Sequence, residues 1–376
     1  MNATADKFLK LSVTGVQGLK PYVPGKPLSE LEREYGISDS IKLASNENPL
    51  GPSKKVLEAI RSELDELALY PDSNGFELKR ILAERHGVSA DNITLGNGSN
   101  DVLEVLARVF LTTGRSAVFS KYAFVVYPIV TQATGAASYI ADANPIDHEM
   151  PYGHDLNAML GLIDGTTRIV FIANPNNPTG TWVAKDELIN FIENVPDDVL
   201  VVVDEAYSEY VQETAYPDMS RYLDKYENLV VTRTFSKAYG LAGIRVGYAL
   251  TNAAVADLMN RIRQPFNVNS IALAAAVAAL NDAEHLTASV RVNSEGLQQL
   301  TDAFTDLGLN YIPSIGNFVT VDMNQPALPV YEALLREGII VRPVANYGLP
   351  NHLRISIGLR EQNQRLIATL RRILAA

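Results

Sequence analysis

Cysteine is absent from this chain of 376 residues. Disulfides, thiol nucleophiles and thiolate-bound metals are therefore excluded together. A positive surplus is also absent, since the formal net charge is −11. A surface of that sign lacks the phosphate-neutralising face that general nucleic-acid binding needs. It does not exclude a small anionic substrate, because a few arginines in a cleft dominate the local field. Long apolar runs are missing too. The most nearly continuous one, Ile271 to Leu280, is about half a bilayer span. The opening stretch MNATADKFLKLSVTG has no basic region followed by an apolar core, so no signal peptide is expected. No repeat period or low-complexity tract interrupts the chain. These absences predict a soluble, cytoplasmic protein without a metal site.

What is present suffices for a large core. Hydrophobic residues make up 47% of the chain and charged residues 20%, so no staples are needed. The length fits two domains, or one large domain with a satellite. Residues 1–45 read as an extended arm with one short helix, SELEREYG, stopped by Gly36. Ser53 to Leu69 reads as a helix capped by Ser53, and Gly75 to His86 as a helix ended by Gly87. NITL and SAVFS read as short strands, with the apolar helix VLEVLARVFL between them. RIVFIA (168–173), VLVVV (199–203) and NLVVT (228–232) are continuous β-branched runs, the mark of strands buried on both faces. A helical segment, Lys185 to Asn194, separates the first two. This rhythm predicts an α/β fold with a mostly parallel sheet over residues 46–275. Beyond it, a long helix (286–307), FVTVDM, PVYEALLREG, IIVRPV, HLRISIG and a final helix predict a smaller α+β domain over 276–376, with a cleft between the two.

Ligands of α/β sheets sit at the carboxyl ends of the strands, and four segments stand there. Gly96-Asn97-Gly98-Ser99-Asn100-Asp101 follows NITL and opens a helix. It is either a phosphate cup of free N–H groups or an ordinary capped start. Asn174-Pro175-Asn176-Asn177-Pro178-Thr179-Gly180 follows RIVFIA. Its stiffness either serves the turn alone or also fixes Asn177. Asp204-Glu205-Ala206-Tyr207 follows VLVVV. A Walker-type nucleotide site is excluded, because the only Gly-Lys pair, Gly25-Lys26, precedes a proline and lacks the spaced glycine. Thr234, Ser236 and Lys237 follow NLVVT. Lys237 is one of twelve lysines, and two readings are open for it. It is a surface side chain, or an amine desolvated by the Gly-rich apolar GLAGIRVGY and suited to Schiff-base chemistry. Together the four segments supply a phosphate cup, a polar ring contact, a carboxylate and an amine at one sheet edge.

At this point the residues resemble the fold-type I aminotransferases of class I/II. NPNNPTG, the DEAY turn and SKAYGLAGIRVGY occur in that family's order and spacing, and the likeness runs from Tyr22 to Arg354. LASNENPLGPS, ALYPDSNG, YAFVVYP, IIVRPV and HLRISIG are most similar to its histidinol-phosphate aminotransferase branch. The resemblance implies pyridoxal 5'-phosphate (PLP) held covalently by Lys237, whose freed amine then moves the substrate proton. Asp204 would pair with the pyridine nitrogen, and Tyr207 and Asn177 with the phenolic oxygen. Phe124, rather than Tyr122, would stack on the ring. The phosphate would rest on the N–H groups of Ser99 and Asn100, with Thr234, Ser236 and Arg245 adding donors. Tyr70 resembles the tyrosine that reaches a neighbour's cofactor phosphate, which implies a homodimer with shared active sites. Arg354 resembles the arginine that grips a substrate carboxylate. Tyr22 and Arg342 look like further phosphate contacts, and Asn46 lines the substrate side. The implied reaction exchanges an amino group between L-histidinol phosphate and 2-oxoglutarate in histidine biosynthesis. Related scaffolds act on aromatic amino acids or as PLP-dependent β-lyases and decarboxylases. Two details depart from the family pattern. The phosphate turn carries Gly98-Ser99-Asn100 rather than an acid-rich variant, and the stacking position is Phe rather than Tyr.

Overall fold

The three β-branched runs form the centre of the fold. The computed structural model describes residues 3–21 and 24–375. A seven-stranded sheet is built from β1 (Ile93–Gly96), β2 (Ser116–Ser120), β3 (Ala137–Ala141), β4 (Thr167–Ala173), β5 (Leu200–Asp204), β6 (Leu229–Thr234) and β7 (Gly247–Thr251). Their order is β1-β7-β6-β5-β4-β2-β3, and only β7 runs against its neighbours. Alternate side chains enter two different cores. Val170, Ile172, Val201 and Val203 pack on one side, and Ile169, Phe171 and Val202 on the other. Each fully buried side chain of this size contributes roughly 1.5–3 kcal/mol. Two apolar faces explain why these strands read as continuous runs rather than alternating ones.

A second, antiparallel sheet follows: β8 (Tyr311–Ile312), β9 (Phe318–Asp322), β10 (Arg342–Pro343) and β11 (His352–Ser356), in the order β10-β11-β9-β8. It packs on the long helix Ala283–Asp306 and the final helix Arg360–Leu374 through a separate core that includes Val319, Leu353, Phe304 and Leu366. The run IIVRPV does not form one strand. Ile339–Ile340 pairs in parallel with Ile41–Lys42 near the N-terminus, while Arg342–Pro343 pairs with β11. Pro343, which has no N–H to donate, sits on the edge strand.

Other departures from expectation have local causes. The helix begun by Ser53, whose hydroxyl accepts from the N–H of Val56, ends at Ser62 rather than Leu69. Leu64, Leu67 and Leu69 are exposed, so no buried stripe carries the helix further. The arm holds three helices, Ala3–Leu11, Thr14–Gln17 and Leu28–Tyr35, before its strand. β7 begins at Gly247, in the last two residues of the Gly-rich GLAGIRVGY, where no strand was expected. No helix among the described residues is long and apolar enough to cross a membrane.

Candidate active site

Parallel strands end together, so β4, β5 and β6 deliver their following residues to one rim. There a cavity of about 260 Å3 receives Asn177, Asp204, Tyr207, Thr234, Ser236 and Lys237. Ser99, Asn100, Phe124 and Arg245 line the same space, as do Asn46, Arg342 and Arg354. Register brings the strand ends level, with Ala173 opposite Asp204 and Asp204 opposite Thr232.

The amine comes first. Lys237 Nζ donates to the carbonyl oxygen of Ser45 at 3.1 Å. Burial, with Arg354 and Arg245 adding to it, pulls its pKa down to about 7. The side chain is half-buried in the cavity wall, which favours the desolvated reading of Lys237 over the surface one. Asp204 is buried, and its Oδ2 accepts from the Tyr127 hydroxyl at 2.9 Å. Its Oδ1 has no hydrogen-bond partner among the described residues. Burial raises the Asp204 pKa, and polar neighbours oppose that rise, Tyr127 first, then Thr232, the Ala206 N–H and Lys237. A buried carboxylate oxygen without a donor is costly in isolation. It fits a ligand that brings an N–H.

Tyr207 receives the Asn46 amide at 3.0 Å on its hydroxyl oxygen. Burial pushes the phenol up to about 12, so it stays a proton donor at neutral pH. Asn177 accepts from Arg354 Nη1 at 2.5 Å, which leaves its amide nitrogen as the group offered to the cavity. Arg354 also donates to the carbonyl of Ala44 at 2.7 Å and lies over the ring of Phe318 at 5.4 Å. It stands on the interior strand β11 and is buried, held as a rigid fork rather than as a surface side chain. Arg342 is its partner across β10 and β11. Two cations at paired positions repel, so the pair favours an anion between them.

The turn before Ser99 is built around glycines. Gly98 adopts φ 85°, and a side chain there would strike the Arg245 guanidinium. A side chain on Gly247 would come within 2.5 Å of the Ser99 nitrogen. Arg245 itself is held at φ 64° and donates to Ser236 Oγ at 3.2 Å and to the Ala242 carbonyl at 3.0 Å. Left-handed backbone at a non-glycine residue persists where the surroundings fix it. The helix Ser99–Phe110 thus points its first N–H groups at a spot flanked by a guanidinium and hydroxyls, an arrangement that suits an anion.

Of the expected residues that the structure describes, Tyr70 does not line this cavity. Tyr22 lies outside the described residues. Tyr70 is 82% exposed and stacks on Phe266 with centroids 4.6 Å apart. The next residue, Asn267, donates to Asp101 in the helix after the anion turn at 2.8 Å. Tyr122 packs with Val344 and Leu349 instead of lining the cavity. Sequence reading missed Tyr127, Ser45, Glu47 and Tyr347, the last three of which line the space. The only signal for Tyr127 was its spacing three residues after Phe124.

These residues fit a phosphorylated aromatic aldehyde with a ring nitrogen. The amine would meet the aldehyde, the open carboxylate oxygen the ring nitrogen, Tyr207 and Asn177 a ring oxygen, and the turn before Ser99 the phosphate. Comparison with known proteins agrees in kind. The family described as aminotransferase class I and II matches residues 38–370. Histidinol-phosphate aminotransferase 2 of Pseudomonas aeruginosa is 60% identical over 370 residues, covering 98% of this chain and 99% of the relative. Its namesake in Pseudomonas fluorescens is 59% identical, covering 98% of each. Among solved structures, histidinol-phosphate aminotransferase from Sinorhizobium meliloti in complex with pyridoxal-5'-phosphate superimposes with a TM-score of 0.88. The two are 30% identical, and the match covers 97% of each chain.

Proposed function

The chain belongs to the class I and II aminotransferases, and from that premise we propose that it is a PLP-dependent histidinol-phosphate aminotransferase. The reaction is L-histidinol phosphate plus 2-oxoglutarate giving imidazole-acetol phosphate plus L-glutamate, a step of histidine biosynthesis. The observation that carries this reading is Lys237, an amine with a pKa of about 7 in one cavity with the open oxygen of Asp204.

Bound there, PLP supplies an aldehyde that captures amino groups and a ring that accepts electrons from the neighbouring carbon. The chain's own residues do the rest. Lys237 Nζ takes up and returns a proton near neutral pH, where its two protonation states are close in energy. Asp204 Oδ1 accepts from the ring nitrogen and keeps it protonated. The Tyr207 hydroxyl and the Asn177 amide donate to the phenolic oxygen, and Phe124 covers a ring face. Ser99, Asn100, Thr234, Ser236 and Arg245 take the cofactor phosphate. Arg342 and Arg354 serve both substrates, one with a phosphate and the other with carboxylates. Asn46 lines the substrate side, and Tyr22 is proposed as a further phosphate contact.

We also read the enzyme as a cytoplasmic homodimer in which Tyr70 reaches the partner's cofactor phosphate. Its exposure and its stack on Phe266, beside the strut from Asn267 to Asp101, support that reading. The division into an arm (1–45), a large domain (46–275) and a small domain (276–376) is part of the same proposal. The decisive experiment is borohydride trapping with peptide mapping, followed by steady-state kinetics on a donor panel. An adduct on Lys237 and a preference for histidinol phosphate are expected. A preference for phenylalanine or tyrosine would overturn the substrate assignment.

A further inference from the structure

Tyr127 is fully buried and makes three contacts that meet at the cofactor site. Its hydroxyl donates to Asp204 Oδ2 at 2.9 Å. Its ring stacks on Phe171 of β4, with centroids 4.7 Å apart and planes 8° from parallel. Phe124 meets it edge to face at 5.8 Å and 87°. Its backbone N–H also donates to the Phe124 carbonyl at 3.0 Å. The Phe171 stack fixes the direction of the phenol, so the hydrogen bond fixes the rotation of the Asp204 carboxylate. One oxygen is then pinned and the other is left open. Lys237 faces Asp204, while Tyr207 and Tyr347 are the other titratable groups near Tyr127. Burial and the Asp204 carboxylate raise the Tyr127 pKa, so the phenol keeps the proton it donates.

We infer that Tyr127 is a positioning residue that aims Asp204 at the cofactor's ring nitrogen and braces Phe124 against the ring face. This rests on the PLP reading above. A hydrogen bond to a charged group stabilises the charge. Without it Asp204 holds its negative charge less well, and the ring nitrogen carries less positive charge. The Lys237 nitrogen joined to the cofactor then keeps its proton to higher pH.

The test compares full-length wild-type and Tyr127→Phe holoenzymes by pH titration of the cofactor's visible absorbance and by the PLP dissociation constant. In Tyr127→Phe the midpoint is expected to rise by about half a pH unit, and PLP binding to weaken about tenfold. A 3-fluorotyrosine at position 127 keeps the shape and donates more strongly, so its midpoint is expected to fall. This second variant decides the matter if Tyr127→Phe does not fold. An adduct on Lys237 in the wild type, with unmoved midpoints in the variants, overturns this inference alone. No adduct in the wild type overturns the proposed function instead.

Discussion

Asp204 and Glu205 are consecutive, buried and acidic, yet they face different surroundings. Asp204 looks into the cavity and keeps one oxygen open. Glu205 points the other way, where Arg233 Nε and Nη2 donate to its Oε2 at 3.0 and 2.6 Å and Met219 N–H donates to its Oε1 at 2.9 Å. Arg233 also reaches Asp218 at 2.6 Å. Asp204 ends β5 and Glu205 is the first residue beyond it, so one dipeptide serves two purposes. The structural side closes its buried charge inside the protein. The functional side leaves a charge for a ligand to complete. Breaking a closed pair costs stability, whereas removing an open charge costs activity.

The largest expected effect lies on the open side. Lys237→Ala should lower kcat roughly 10^4-fold or more and abolish the borohydride adduct, as single-turnover assays and peptide mapping would show. Asp204→Asn should lower kcat roughly 10^2–10^3-fold while leaving the melting temperature unchanged or higher, since it removes an unpaired buried charge. Scanning calorimetry beside kinetics reads both. Arg354→Lys keeps the charge but loses the fork. It should cut kcat/KM for both anionic substrates about 10- to 100-fold, seen in steady-state assays. On the closed side, Glu205→Gln should cost about 3–5 kcal/mol of stability in denaturant melts with kcat close to wild type. If Glu205→Gln lost activity as Asp204→Asn does, the contrast between the two faces would fail.

The smallest effect sharpens the same contrast through pH. Burial lowers the Lys237 pKa from 10.5 to about 7. Between those values the unfolded chain holds the extra proton and the folded one does not, so stability rises with pH across that window. Below about pH 7 the full cost of the buried ammonium is present. Lys237→Met should therefore stabilise the cofactor-free protein most at low pH, and thermal melts should converge toward pH 10.5.

Much of the site was legible because its parts are local. A β-branched run says where a strand is, and the polar residues after it say what reaches the rim. Asn177, Asp204 and Lys237 were found that way. Tyr127 was not, since its role depends on Asp204, which lies 77 positions away in the chain. Ser45 was equally hard to see, and Asn46 was reached only through the family resemblance. Their part is set by the pairing of Ile41–Lys42 with Ile339–Ile340 and by the Asn317 amide, which donates to the Asn46 carbonyl at 3.0 Å.

The sequence by itself determined the central strands of the sheet, the rim and the kinds of group upon it. Hydrophobic period and turn chemistry act over a few residues, and the motifs preserve their order. The tertiary structure decided which lysine is desolvated, which carboxylate is open and which is closed, and which arginines converge. Those properties belong to burial and to partners distant in the chain, and no stretch of sequence contains its own surroundings.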